Sequence, residues 1–84
     1  MNEIQVTVLF FAAARDVTAT ESTTELLPGK SRLADLRTVL FTRWPELARY
    51  GSALLWAVNN QYASSDMCLR AGDVVACFPP VSGG

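Results

Sequence analysis

Polar and apolar positions alternate strictly at the start of the chain. Ile4, Val6, Val8 and Phe10 fall on one side of an extended backbone, and Gln5, Thr7, Leu9 and Phe11 on the other. Successive side chains of a strand point to opposite faces, and β-branched and aromatic residues suit that surface, so residues 3–11 are predicted to form a strand. Its second face begins polar and turns apolar at Leu9 and Phe11, which marks a contact surface near the strand's end. Residues 12–22 are small and polar and read as a connection. Residues 23–27 predict a second strand, ended by the turn pair Pro28-Gly29. So short a link favours an antiparallel pairing with the first strand. The period then changes. Leu33, Leu36, Leu40 and Trp44 recur at three- and four-residue steps, with Arg32, Asp35, Arg37, Thr38 and Arg43 mostly opposite, which predicts one amphipathic helix. Ser31 is its expected N-cap, Asp35 and Arg43 suit its dipole, and Pro45 is expected to stop it.

Residues 54–59 predict a third strand, turned at Asn59-Asn60 because Asn tolerates positive φ, with a short return over residues 61–63. Residues 70–73 form another turn signal. Val74–Phe78 predicts the last strand, with Val75 and Cys77 on one face and Val74, Ala76 and Phe78 on the other. A sheet with a single main helix must lay that helix across one face to bury both apolar sides, which leaves the other face partly open. The expected architecture is α+β. It is a mixed sheet of four to five strands, with the first and last strands as parallel central neighbours joined by a crossover through the helix. That is the β-grasp, or ubiquitin-like, arrangement over residues 1–78, followed by an extended tail over residues 79–84.

The tail reads Pro79-Pro80-Val81-Ser82-Gly83-Gly84. The two prolines lack a backbone N–H and have fixed φ, so they end the strand and stiffen the exit. Phe78 precedes proline and is pushed to extended geometry. Six residues beyond Phe78 span at most roughly 20 Å at about 3.3 Å each. The side chains shrink toward Gly84, and a backbone without Cβ can thread a narrow channel and present its terminal carboxylate there.

Composition narrows the chemistry. The chain has 84 residues, half of them hydrophobic, and a net charge of -1. That is a single globular domain with no electrostatic case for nucleic acid. No apolar run reaches membrane-spanning length, and Glu3 stands where a signal peptide would be basic, so a cytoplasmic protein is expected. There is no histidine, the glycines at 29, 51, 72, 83 and 84 make no phosphate loop, and no nucleophile–base set can be assembled. Cys68 and Cys77 have neither redox nor zinc spacing and are expected to be small buried hydrophobes. No bound cofactor and no metal are expected. The group with chemical promise is the α-carboxylate of Gly84. Activated by a separate ATP-using protein as a mixed anhydride with AMP, it becomes able to form a thioester or thiocarboxylate, and the chain then acts as a non-catalytic carrier.

At these residues a family is recognisable. The ending from Leu69 through Arg70-Ala71-Gly72-Asp73 to Phe78-Pro79-Pro80-Val81-Ser82-Gly83-Gly84 resembles that of the small, sulfur-carrying subunit of molybdopterin synthase. Val8-Leu9-Phe10-Phe11-Ala12 resembles that family's first strand, and Trp56-Ala57-Val58-Asn59 its middle strand. The resemblance implies the following. An activating enzyme of the ubiquitin-E1 type adenylates Gly84 with ATP. A sulfur donor of rhodanese or cysteine desulfurase type converts it to a thiocarboxylate. The tail then enters the large synthase subunit, where sulfur passes to cyclic pyranopterin monophosphate during molybdenum cofactor biosynthesis. It also implies a heterotetramer of two large and two small subunits, and a partner interface at Phe11, Tyr62 and Phe78. Tyr62 stands where the family commonly has an aliphatic residue, and Cys77 where it has a bulkier apolar one. Two alternatives share parts of this pattern. One is a thiamine-pathway sulfur carrier or ubiquitin-like protein modifier; the other is a non-covalent interaction module anchored by Leu9, Phe11, Tyr62 and Phe78.

Overall fold

The computed structural model describes residues 2–79. Strand β1 (Glu3–Phe10) pairs antiparallel with β2 (Ser22–Pro28), from Glu3 opposite Pro28 to Leu9 opposite Ser22. Its other edge pairs parallel with β5 (Val74–Phe78), from Thr7 beside Val74 to Phe10 beside Cys77. β5 pairs antiparallel with β3 (Leu55–Val58), which turns into the two-residue β4 (Gln61–Tyr62). The strand order is β2-β1-β5-β3-β4, so the first and last strands do lie side by side in the sheet's interior. This is the expected β-grasp arrangement, with five strands.

The alternation read from the sequence decides what is buried. Val6, Val8 and Phe10 of β1, Val75 and Cys77 of β5, and Trp56 and Val58 of β3 meet Leu33, Leu36 and Leu40 of helix α2 (Leu33–Arg43) in one core. Burying each large aliphatic or aromatic side chain contributes about 1.5–3 kcal/mol relative to leaving it in water, so this face holds the fold. At the edge of the core Glu25, buried on β2, pairs with Arg43 of α2. The Arg43 guanidinium also lies 4.5 Å over the Trp44 ring.

Several local features differ from the sequence reading. The stretch taken as a connection contains helix α1 (Ala13–Thr18), which buries Ala14 and whose Thr18 hydroxyl donates to the Ala14 carbonyl at 3.0 Å. One short turn of small residues carries too little periodicity to register. Ser31 is not the cap of α2. Its hydroxyl donates to the Pro28 carbonyl at 2.6 Å, and Arg32 takes the N-cap position. The first amides of α2 donate instead to a distant loop: Leu33 to the Met67 carbonyl at 2.9 Å and Ala34 to that of Ser65 at 2.8 Å. Those donors need partners, and remote backbone carbonyls serve as well as a local hydroxyl.

Trp44 is the C-cap of α2 and sits edge-on to Phe10, with ring centroids 5.3 Å apart. Pro45 also opens a short helix α3 (Pro45–Ala48), at a position where its missing N–H has no partner to lose. Leu54, Asn59 and Ala63 fall outside the strands. Asn59 and Asn60 both have positive φ, 51° and 72°, as a two-residue hairpin turn requires. Cys77 is buried as expected, but Cys68 is exposed.

Replacing Leu40, wholly buried, by Ala should lower the unfolding free energy by about 2–5 kcal/mol. Thr38→Ala, on the exposed side of the same helix, should stay within about 0.5 kcal/mol. Chemical denaturation midpoints of the two variants check the difference.

Candidate functional site at the exit of the last strand

The side chains that alternate away from the core form the sheet's open face. Parallel pairing carries β1 and β5 in the same direction, so Phe11, one residue past β1, arrives beside Phe78 at the end of β5; the Phe11 N–H still donates to the Cys77 carbonyl at 3.1 Å. Antiparallel pairing sets Leu55 of β3 opposite Phe78, and Tyr62 of β4 opposite Ala57. Phe78 therefore lies between two aromatic neighbours. Its ring centroid is 6.5 Å from that of Phe11 at an 80° interplanar angle, and 6.0 Å from that of Tyr62 at 55°. Edge-to-face and tilted contacts at these distances are favourable for aromatic rings.

The structure thus brings together the three residues expected at the interface. Phe78 is half-buried, while Phe11 is 48% and Tyr62 76% exposed, far more than packing alone requires. Leu9 is half-buried on the same face. Leu55, 38% exposed, belongs to the patch and was missed; continuing the alternation of Trp56 and Val58 back by one position would have found it. Ala57 and Ala76, paired across β3 and β5, are small and leave the aromatic groups standing proud. An apolar patch with aromatic anchors is how interface centres are built.

The start of β5 is fixed by hydrogen bonds. The buried Asp73 carboxylate accepts from the Asn59 side-chain amide at 3.0 Å and from the Arg70 N–H at 2.8 Å. Asn59 in turn accepts from the Val74 N–H at 3.0 Å. Gly72 holds a φ of 87° in this turn, a conformation that favours glycine. The strand that leads into the tail is therefore pinned by polar bonds at one end and by aromatic contacts at the other. Pro79 is the last described residue; Pro80, Val81, Ser82, Gly83 and Gly84, named above for the tail, lie outside the described residues.

Among the described residues no group of three or more His, Cys, Asp and Glu is placed to hold a metal ion, and no helix is long and apolar enough to cross a membrane. Burial raises the Cys77 thiol to about 12 and keeps it protonated.

A β-grasp domain whose last strand ends at an aromatic platform defines a ubiquitin-like protein of the carrier type. A model of the ThiS family matches residues 8–84. A molybdopterin synthase sulfur carrier subunit from Escherichia coli (strain K12) is 40% identical over 81 residues, covering 94% of this chain and 99% of the relative. One from Homo sapiens is 34% identical over 83 residues, covering 95% and 94%. Among solved structures, a protein–protein complex of subunits 1 and 2 of molybdopterin-converting factor from Helicobacter pylori 26695 contains a chain with a TM-score of 0.66 at 24% identity, covering 96% of this chain and 100% of that one, a likeness of fold. The chain belongs to the ThiS family, among the molybdopterin synthase sulfur carrier subunits. Its place is in molybdenum cofactor biosynthesis, as a carrier subunit.

Under native conditions a thiol reagent should modify Cys68 and leave Cys77 untouched until the chain unfolds, as peptide mapping of the labelled protein will read. The pH dependence follows from the same burial. An unfolded cysteine ionises near 9 while the folded Cys77 does so near 12, so its contribution to stability is complete below pH 9 and is lost as pH rises toward 12. Cys77→Val should flatten that alkaline loss in denaturation midpoints taken from pH 8 to 11.

Proposed function

We propose that the carboxylate of Gly84 is the cargo site, loaded as a thiocarboxylate and unloaded onto cyclic pyranopterin monophosphate. The domain over residues 1–78 is the platform, and residues 79–84 form the arm. The arm carries the reactive atoms into partners, and the partners supply the catalysis. An E1-like enzyme forms the acyl adenylate from ATP, with pyrophosphate leaving. The persulfide of a sulfur donor of rhodanese or cysteine desulfurase type then attacks the acyl carbon and AMP leaves. A second thiol reduces the S–S bond of the resulting acyl disulfide, which frees the donor as a mixed disulfide and leaves the thiocarboxylate. In the large synthase subunit the thiocarboxylate gives up that sulfur and Gly84 returns as a carboxylate.

The observation that carries the reading is the aromatic group of Phe11, Tyr62 and Phe78 beside the strand end that continues into Pro79. A partner that grips this patch receives the arm at the same time. Membership of the family supports the chemistry, and the relatives' description as subunits of a synthase supports a large-subunit partner. A heterotetramer of two large and two small subunits, and a cytoplasmic location, complete the proposal.

Incubation with ATP, the adenylating enzyme and a sulfur donor should raise the intact mass by about 16 Da as –OH becomes –SH; an unchanged mass with an active enzyme present overturns the proposal. Removing Gly83 and Gly84 should abolish sulfur transfer and leave binding to the large subunit in place. Phe78→Ala should weaken that binding about tenfold or more by titration calorimetry, as loss of an interface anchor does, with a smaller loss of stability than Leu40→Ala. A collapse in stability with unchanged affinity in the folded fraction would place Phe78 in the core alone.

A further inference from the structure

An activated acyl terminus reacts with any amine or thiolate that reaches it, so where the chain keeps its own nucleophiles matters. Lys30 is the single lysine, against six arginines, and Cys68 and Cys77 are the two thiols. A guanidinium stays protonated and does not attack, whereas a lysine amine does. Lys30 follows β2, whose end Pro28 lies opposite Glu3 at the start of β1. Phe78, where the tail begins, lies at the other end of β1, one step past the Phe10–Cys77 pair. Eight strand steps of about 3.3 Å and two strand spacings of about 4.8 Å separate these poles, roughly 28 Å across the sheet. A fully extended tail covers roughly 20 Å from Phe78, and the four-carbon lysine stem about 6 Å more. Phe78 and Pro79 leave β5 heading away from Lys30, so the tail would also have to reverse.

The two thiols are kept from the tail in different ways, one by distance and one by burial. Cys68, exposed, bridges Arg32 at the start of α2, two residues from Lys30. Cys77 lies at the tail's end of the sheet, but it is wholly buried on the helix side. The Tyr62 ring is near the exit, but a phenol is a weak nucleophile at neutral pH and an aryl ester would remain an activated acyl group.

We infer that the fold keeps every amine and thiol of its described residues out of reach of its own activated C-terminus, so that the acyl group survives until a partner takes it. The inference rests on the carrier reading above, but its test needs no adenylating enzyme, so the two fail separately. The chain is released from an intein fusion as its C-terminal thioester with 2-mercaptoethanesulfonate. Self-acylation would break the C–S bond, form a C–N or C–S bond to the side chain and release the small thiolate, which takes up the proton displaced from the attacking amine or thiol. The product is about 18 Da lighter than the free acid (mass of water).

At pH 8 the wild-type chain should convert only to the free acid over hours. Ala53→Lys, two residues before the Leu55 that faces Phe78, and Arg15→Lys, in the helix that follows Phe11, should yield the lighter ring product at least tenfold faster than wild type. Circular dichroism confirms that each variant is folded. A wild-type ring product that peptide mapping places at Lys30, Cys68 or Cys77, or the absence of a ring product from both folded variants, overturns the inference.

Discussion

The parallel pairing of β1 with β5 is the constraint from which the rest follows. Parallel strands are ordinarily covered and need a crossover, and here α2 provides both. Because the two strands run the same way, their ends emerge together, and Phe11 and Phe78 become neighbours. With β5 reversed over the same stretch of β1, Phe78 would lie beside Val6, five residues back from Phe11. The closeness of these two positions is a by-product of strand direction, made before any side chain is chosen.

The two faces of the sheet divide the work. Val6, Val8, Val75 and Cys77 spend their apolar surface on α2 and hold the domain together. Leu55, Phe11 and Tyr62 face outward on the other side, where the Phe11 and Tyr62 rings rest against Phe78 between them. Changes on the open face therefore leave the packing against α2 in place, within the limits set by Phe78, which is half-buried. Stability at the sheet's edge relies on the Glu25–Arg43 pair, where a buried carboxylate without its cation would be costly.

Much of this was legible in the chain itself. The alternation from Ile4 to Phe10 and the spacing of Leu33, Leu36 and Leu40 both reflect burial on one side, a signal repeated often enough to be read. Phe11 and Phe78 were placed on the open face by the same parity. What escaped depended on contacts distant in sequence or on elements too short to repeat. The acceptors for the first amides of α2 are the carbonyls of Met67 and Ser65, some thirty residues away, and nothing near Ser31 reveals them. Helix α1 rests on Ala14 and Val17, two positions that establish no period. The exposure of Cys68 reflects the path of an irregular loop, which composition does not encode. Leu55 needed only the strand parity already applied elsewhere.

Placing β5 between β1 and β3 also sets an order of events during biosynthesis. The partner for one edge of β1 follows closely in the chain as β2, but its second edge has no strand until the residues from Val74 onward are available. Until then Val8 and Phe10 have half a core to pack against, and the nascent chain shows a bare hydrogen-bonding edge beside them. Such intermediates are prone to sticking, so expression yield should depend on what shields that edge while translation finishes.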